Sequence, residues 1–200
     1  MIKSHLPVVL FSAVYLLLGG LYFLQDFNFE FIIYVGVIIA AFVLLFGTLT
    51  ITQLPNYILW LISIWGLMHI LGGSIPSQDG VLFAYKIYPF LDWGGDFYIL
   101  KYDQLVHMYL YGVMTLVFFH VLTYTLKAKG PLWILLLLAC MASMGVSAMN
   151  EIMEFLISIS LERNGVGGYE NAMLDLIFNF TGALGASIIL LLKKKISKVS

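Results

Sequence analysis

The sequence predicts an all-α membrane protein: a polytopic bundle of about six transmembrane helices with both termini cytoplasmic. Three observations carry this. Hydrophobic residues make up 62% of the 200 and charged residues only 10%, where a soluble domain carries about 25% charged residues; mean hydropathy is +0.98. The apolar residues fall in long runs, most of them long enough to cross a bilayer as helices. Lys and Arg are divided unevenly between the segments that flank those runs, as the positive-inside rule requires of an oriented membrane protein.

The spans follow in order. Leu6–Leu24 is too long for the apolar region of a signal peptide, and no small-x-small cleavage site follows, so it is expected to stay as the first membrane helix. It closes at Gln25, Asp26 and Asn28. The second span, Phe31–Leu49, ends at Thr50, Thr52, Gln53 and Pro55. The third, Asn56–Leu71, is short and stops at Gly72 and Gly73. The fourth covers Gln104–Leu126 and the fifth Leu132–Ser158, with Gly130 and Pro131 marking the turn between them. Met173–Leu192 is the sixth, stopped by Lys193, Lys194 and Lys195. Residues 1–200 are expected to form a single integral membrane domain.

With the N-terminus inside, the inner segments hold Lys3, Lys127, Lys129, Lys193, Lys194, Lys195 and Lys198. The outer segments hold only Lys86, Lys101 and Arg163, which sets the orientation. Two outer segments exceed simple turns. Residues 74–102 carry Phe83, Tyr85, Tyr88, Phe90, Trp93, Phe97 and Tyr98, and are expected to lie at the headgroup layer as a cap. Residues 161–172 combine Gly165, Gly167 and Gly168 with Glu162, Arg163 and Glu170, the composition of either a lid or an ordinary exposed loop. A single cysteine, Cys140, excludes an intrachain disulfide. No basic patch interleaved with aromatics is present, which argues against a nucleic-acid partner.

Few polar residues interrupt the spans. His69 ends the third; Asp103 and His107, four apart and so on one helix face, open the fourth. Asn150, Glu151 and Glu154 lie toward the end of the fifth, with Ser143 and Ser147 extending the stripe. Asp175 and Asn179 open the sixth. Alternating span direction puts all four groups at one depth, the outer half of the membrane. Plainer readings stand beside this one: Asp103 as a helix cap, His69 and His107 as satisfied core histidines, Glu154 as a solvated acid, and Asn179, Gly182 and Ala186 as packing residues. Glu151 is harder to explain so, because an unpaired carboxylate at the centre of a membrane helix costs about 3 kcal/mol or more. Two carboxylates a turn apart need a shared proton or a cation, and Arg163 is the basic residue expected nearby. Imidazole with carboxylates suits zinc, manganese or iron.

At these residues the chain resembles the YjdF-like family of bacterial inner-membrane proteins. The resemblance is carried by Trp65-x3-His69-x2-Gly72-Gly73, Tyr102-Asp103-x3-His107-x4-Gly112, Glu151-x2-Glu154, and Asp175 followed by Gly185-Ala186. The spacing Asp103-x3-His107, Glu151-x2-Glu154, Asp175-x3-Asn179-x2-Gly182 is also similar to VanZ-like membrane proteins, where the second acid of the pair is more often Gln, so Glu154 departs from that pattern. The resemblance implies a bacterial plasma-membrane location and brings no reaction with it.

The expected function is an enzyme acting on a lipid or lipid-linked head group. Asp103, His107, Glu151, Glu154 and Asp175 are its candidate catalytic residues, and His69, His107, Glu151, Glu154 and Asp175 its candidate ligands for a divalent metal. Asn150 and Asn179 support them, and membrane lipids are the expected partners. The alternatives are a membrane scaffold held together by the same residues and a cation- or proton-coupled transporter.

Overall fold

A chain this apolar must satisfy its backbone polar groups internally, which a helix does within one segment. The computed structural model is accordingly 79% helical; it describes residues 2–25, 27–78, 80–95, 97–161, 165 and 167–196. Asp26, Glu162, Arg163 and Lys198, to which roles were assigned above, lie outside the described residues, as do the side chains of Lys3, Lys194 and Lys195.

The helices are α1 (Ile2–Gln25), α2 (Phe29–Gly47), α3 (Leu49–Thr52), α4 (Asn56–Ser74), α5 (Tyr102–His120), α6 (Leu132–Ser160) and α7 (Tyr169–Ile196). Among the described residues, six of these are long and apolar enough to cross a membrane, and α3 is a single turn in a connector. Asn28, expected only to close the first span, also caps α2 by accepting a hydrogen bond from the Phe31 amide (3.4 Å). Helix α5 runs on into a π-helical turn at Val121–Thr125.

Helix α5 is central. It packs on α4 to one side and on α6 and α7 to the other, while α1 lies against α2 and α4. Small residues let α5 and α7 approach backbone to backbone. A Cβ at Gly182 would collide with the Met108 carbonyl, and one at Gly112 would stand 3.3 Å from the Gly182 oxygen.

Residues 74–102, expected to lie at the headgroup layer, have regular structure of their own. They fold into two antiparallel hairpins, β1 (Pro76–Ser77) with β2 (Gly80–Val81) and β3 (Lys86–Gly94) with β4 (Phe97–Lys101). Every residue of β3 is exposed, Trp93 at 74%. Phe83, just before β3, turns inward against His69 with ring centroids 5.0 Å apart.

The two ends of the bundle differ. One gathers the start of α2, the end of α4, the start of α5, the end of α6 and the start of α7 around a cavity. At the other, polar groups pair with one another: His120 Nε2 (3.0 Å) and Thr125 Oγ1 (3.1 Å) both donate to the Thr52 carbonyl, and the Tyr124 hydroxyl donates to Gln53 Oε1 (3.0 Å).

Candidate functional site

Helix α5 begins at Tyr102 with Lys101 at the cap position, so Asp103 sits inside the first turn and does not cap the helix. Gln104 does that work, accepting the Lys101 amide hydrogen (3.0 Å) while its own amide donates to the Tyr98 carbonyl (2.8 Å). Asp103 is thereby free to face along the helix, and its Oδ1 lies 3.6 Å from His107 Nε2.

The other helices bring their acids to the same imidazole. From α6, Glu151 Oε1 lies 3.7 Å from His107 Nδ1 and Glu154 Oε1 lies 3.9 Å from Nε2. Glu154 is no solvated acid, since its side chain is only 19% exposed. From α7, Asp175 and Asn179 are fully buried. Two sets form around His107, one with Asp103 and Asp175 and one with Glu151 and Glu154; within each set the potential ligand atoms lie within 4.8 Å of one another.

Asn179 decides which imidazole nitrogen carries the proton. Its amide nitrogen donates to Ser147 Oγ (2.7 Å) and reaches Glu151 Oε1 (3.4 Å), which turns its oxygen to His107 Nδ1 at 3.0 Å. An oxygen only accepts, so this network assigns the proton to Nδ1 and leaves Nε2 toward Asp103 and Glu154. Asn150 holds Glu154 (2.6 Å), and Asn171 holds Asp175 (2.6 Å).

His69 stands apart. Rings of Tyr34, Trp65 and Phe83 surround it at 5.5, 5.7 and 5.0 Å. It belongs to neither set around His107, yet it lines the same cavity of about 440 Å³. Its Nε2 is buried without a hydrogen-bond partner among the described residues.

Three residues on this cavity escaped the sequence reading. Glu30, in the first turn of α2, is buried and accepts the Gly165 amide hydrogen (2.7 Å). Lys101 Nζ donates to Asn171 Oδ1 (3.1 Å), which puts a basic group at the site where Arg163 was expected. Asn171 was read as part of a loop. A signal for one of them was present: Asn171 stands one helical turn before Asp175.

Over residues 6–195 the sequence matches the family described as "Predicted membrane protein (DUF2238)". The chain belongs to DUF2238. This is the YjdF-like family to which the motif spacing pointed, while the VanZ-like similarity rests on the motifs alone. No curated protein and no solved structure matches the chain.

What the site of this DUF2238 protein can do follows from its charges. Four carboxylates and one imidazole share a largely buried environment, which is costly unless protons or a cation balance them. Glu151 Oε2 and Asp175 Oδ1 are buried without hydrogen-bond partners among the described residues. A tetrahedral ion with bonds of about 2.1 Å separates its ligand atoms by about 3.4 Å. The 3.6 and 3.9 Å approaches of Asp103 and Glu154 to Nε2 are close to that spacing. Each set alone thus offers donors of the kind a divalent metal takes, Asp103 and Glu154 belonging to different sets, and Asn179 holds His107 as outer hydrogen-bond partners hold metal-bound imidazoles.

Proposed function

We propose that this DUF2238 protein is a metal-dependent enzyme of the bacterial plasma membrane that acts on a lipid or lipid-linked head group at the outer face. The observation that carries the reading is the gathering of carboxylates from three helices around His107 beside one cavity, with Glu151 Oε2 and Asp175 Oδ1 buried without hydrogen-bond partners among the described residues. Asp103, His107, Glu151, Glu154 and Asp175 would hold zinc, manganese or iron. A metal there supplies a Lewis acid and a water activated near neutral pH.

The chain's own groups divide the remaining work. Asp103, His107 and Glu154 line the cavity, whereas Glu151 and Asp175 stand behind them. Glu154, kept in place by Asn150, is the carboxylate positioned to exchange a proton with a bound head group. Asn179 fixes the imidazole ring. The test is metal analysis of purified wild-type protein beside Glu151→Gln and His107→Ala. Wild type is expected to hold a stoichiometric metal that both variants lose; wild type without metal removes the metal and leaves His107 and Glu154 as an acid–base pair.

The contact of Gly182 with the Met108 backbone and the Asn179 cross-link favour a second reading, a membrane scaffold. It predicts that Glu151→Gln lowers abundance together with any phenotype. A well-expressed, stable but inactive variant counts against it.

A further inference from the structure

One buried acid on the cavity has no part in the proposed chemistry. Glu30 is 8% exposed, and its Oε2 takes a single hydrogen bond, from the Gly165 amide (2.7 Å). The rings of Phe31, Tyr34 and Phe83 line the cavity beside it, those of Phe31 and Phe83 almost parallel at 6.2 Å. A desolvated carboxylate among aromatic faces is the chemistry that recognises an ammonium group. Lys101, on the same cavity, carries the charge that a phosphate needs.

A smaller chamber adjoins the cavity, and an apolar groove begins one residue further along α1. The chamber, of about 190 Å³, shares Asn28, Gly80 and Val81 with the cavity and reaches Phe23. At the neighbouring Leu24 begins an apolar groove of about 840 Å³, which follows α1 and α2 down to Val9 and Phe46. That is most of the length of both helices, and a groove so long and so apolar suits a fatty chain.

We propose that the cavity binds an amine-bearing phospholipid, with its ammonium at Glu30 among Phe31, Tyr34 and Phe83 and an acyl chain in the α1–α2 groove. This rests on the reading of the site as one for lipid head groups and adds the class of head group. Soluble ethanolamine phosphate shares the head-group chemistry, and the groove decides for the lipid.

The test is native mass spectrometry of the full chain with phosphatidylethanolamine, phosphatidylglycerol or ethanolamine phosphate, with metal content measured on the same samples. Wild type is expected to favour phosphatidylethanolamine over phosphatidylglycerol by about tenfold. Glu30→Gln keeps an oxygen for the Gly165 amide but loses the charge, so the preference should vanish while metal content stays. Gly36→Leu projects into the groove, where nothing lies within 4 Å of an added Cβ, and should weaken binding of the lipid but not of ethanolamine phosphate. In wild type, tetramethylammonium chloride should displace phosphatidylethanolamine where sodium chloride at equal ionic strength does not, a measurement that needs no variant. No lipid preference in wild type, or a preference kept by Glu30→Gln, overturns the proposal. Ethanolamine phosphate binding as tightly as the lipid overturns the acyl-chain part. Wild type that lacks metal but keeps the preference removes the metal reading alone.

Discussion

His107 has two chemically different edges because Asn179 holds one of them. Remove that amide and the ring loses its only hydrogen bond among the described residues, while Ser147 loses its donor. Asn179→Ala is therefore expected to weaken metal binding about 10–100-fold, as loss of such outer partners does, with the metal titration itself as the measurement. Asn179→Asp should be milder, because a carboxylate still accepts from Nδ1. The acids around His107 were readable from sequence for a simple reason: polar residues in apolar spans are few, and span direction fixes their depth. Glu30 was not readable. An acid in the first turn of a helix is favoured by the helix dipole anyway, and only the folded chain shows it buried against Gly165, 135 residues away. His69 was conspicuous in the sequence, but spacing could not say that aromatic rings enclose it.

Among the elements, the α5–α7 contact and the β3–β4 hairpin make opposite predictions. A side chain at 182 meets backbone, which cannot rotate away, so Gly182→Val is expected to destabilise by about 1–3 kcal/mol or more. For a chain of this size each kcal/mol lowers Tm by about 2–4 °C, and a thermal scan in detergent reads it. The hairpin should tolerate change better: Phe90→Ser with Trp93→Ser, a pair that loses the ring contacts to Tyr88 and Phe97, is expected to cost no more than about 0.5–1.5 kcal/mol per site. The hairpin is expected to have its role at the bilayer surface. In a chain whose other tryptophans are replaced by Phe, Trp93 fluorescence should be quenched most by lipids brominated near the head group and least by those brominated near the chain end. Helix positions were legible because hydropathy reports them directly. The hairpin was missed because both faces of β3 are exposed, so the usual alternation is absent. Its turn was nonetheless written in the chain: Gly94 and Gly95, both at positive φ, stand between two aromatic runs.

At the scale of the whole molecule, orientation is the open quantity that lysine placement addresses. Both termini are expected in the cytoplasm, so a fluorescent protein fused after Ser200 should glow and alkaline phosphatase fused there should stay inactive. Phosphatase inserted at the Gly94–Gly95 turn should be active. The reverse pattern would turn the site to the inner face.

The pairing of His120 and Thr125 with Thr52, and of Tyr124 with Gln53, ties together the far end of the bundle. If the protein acts on lipid head groups as proposed, whatever enters beside His107 is expected to leave by the way it came. Reactant and product then queue at one doorway, so a released head group should behave as a competitive inhibitor: it raises the apparent KM and leaves the maximal rate untouched.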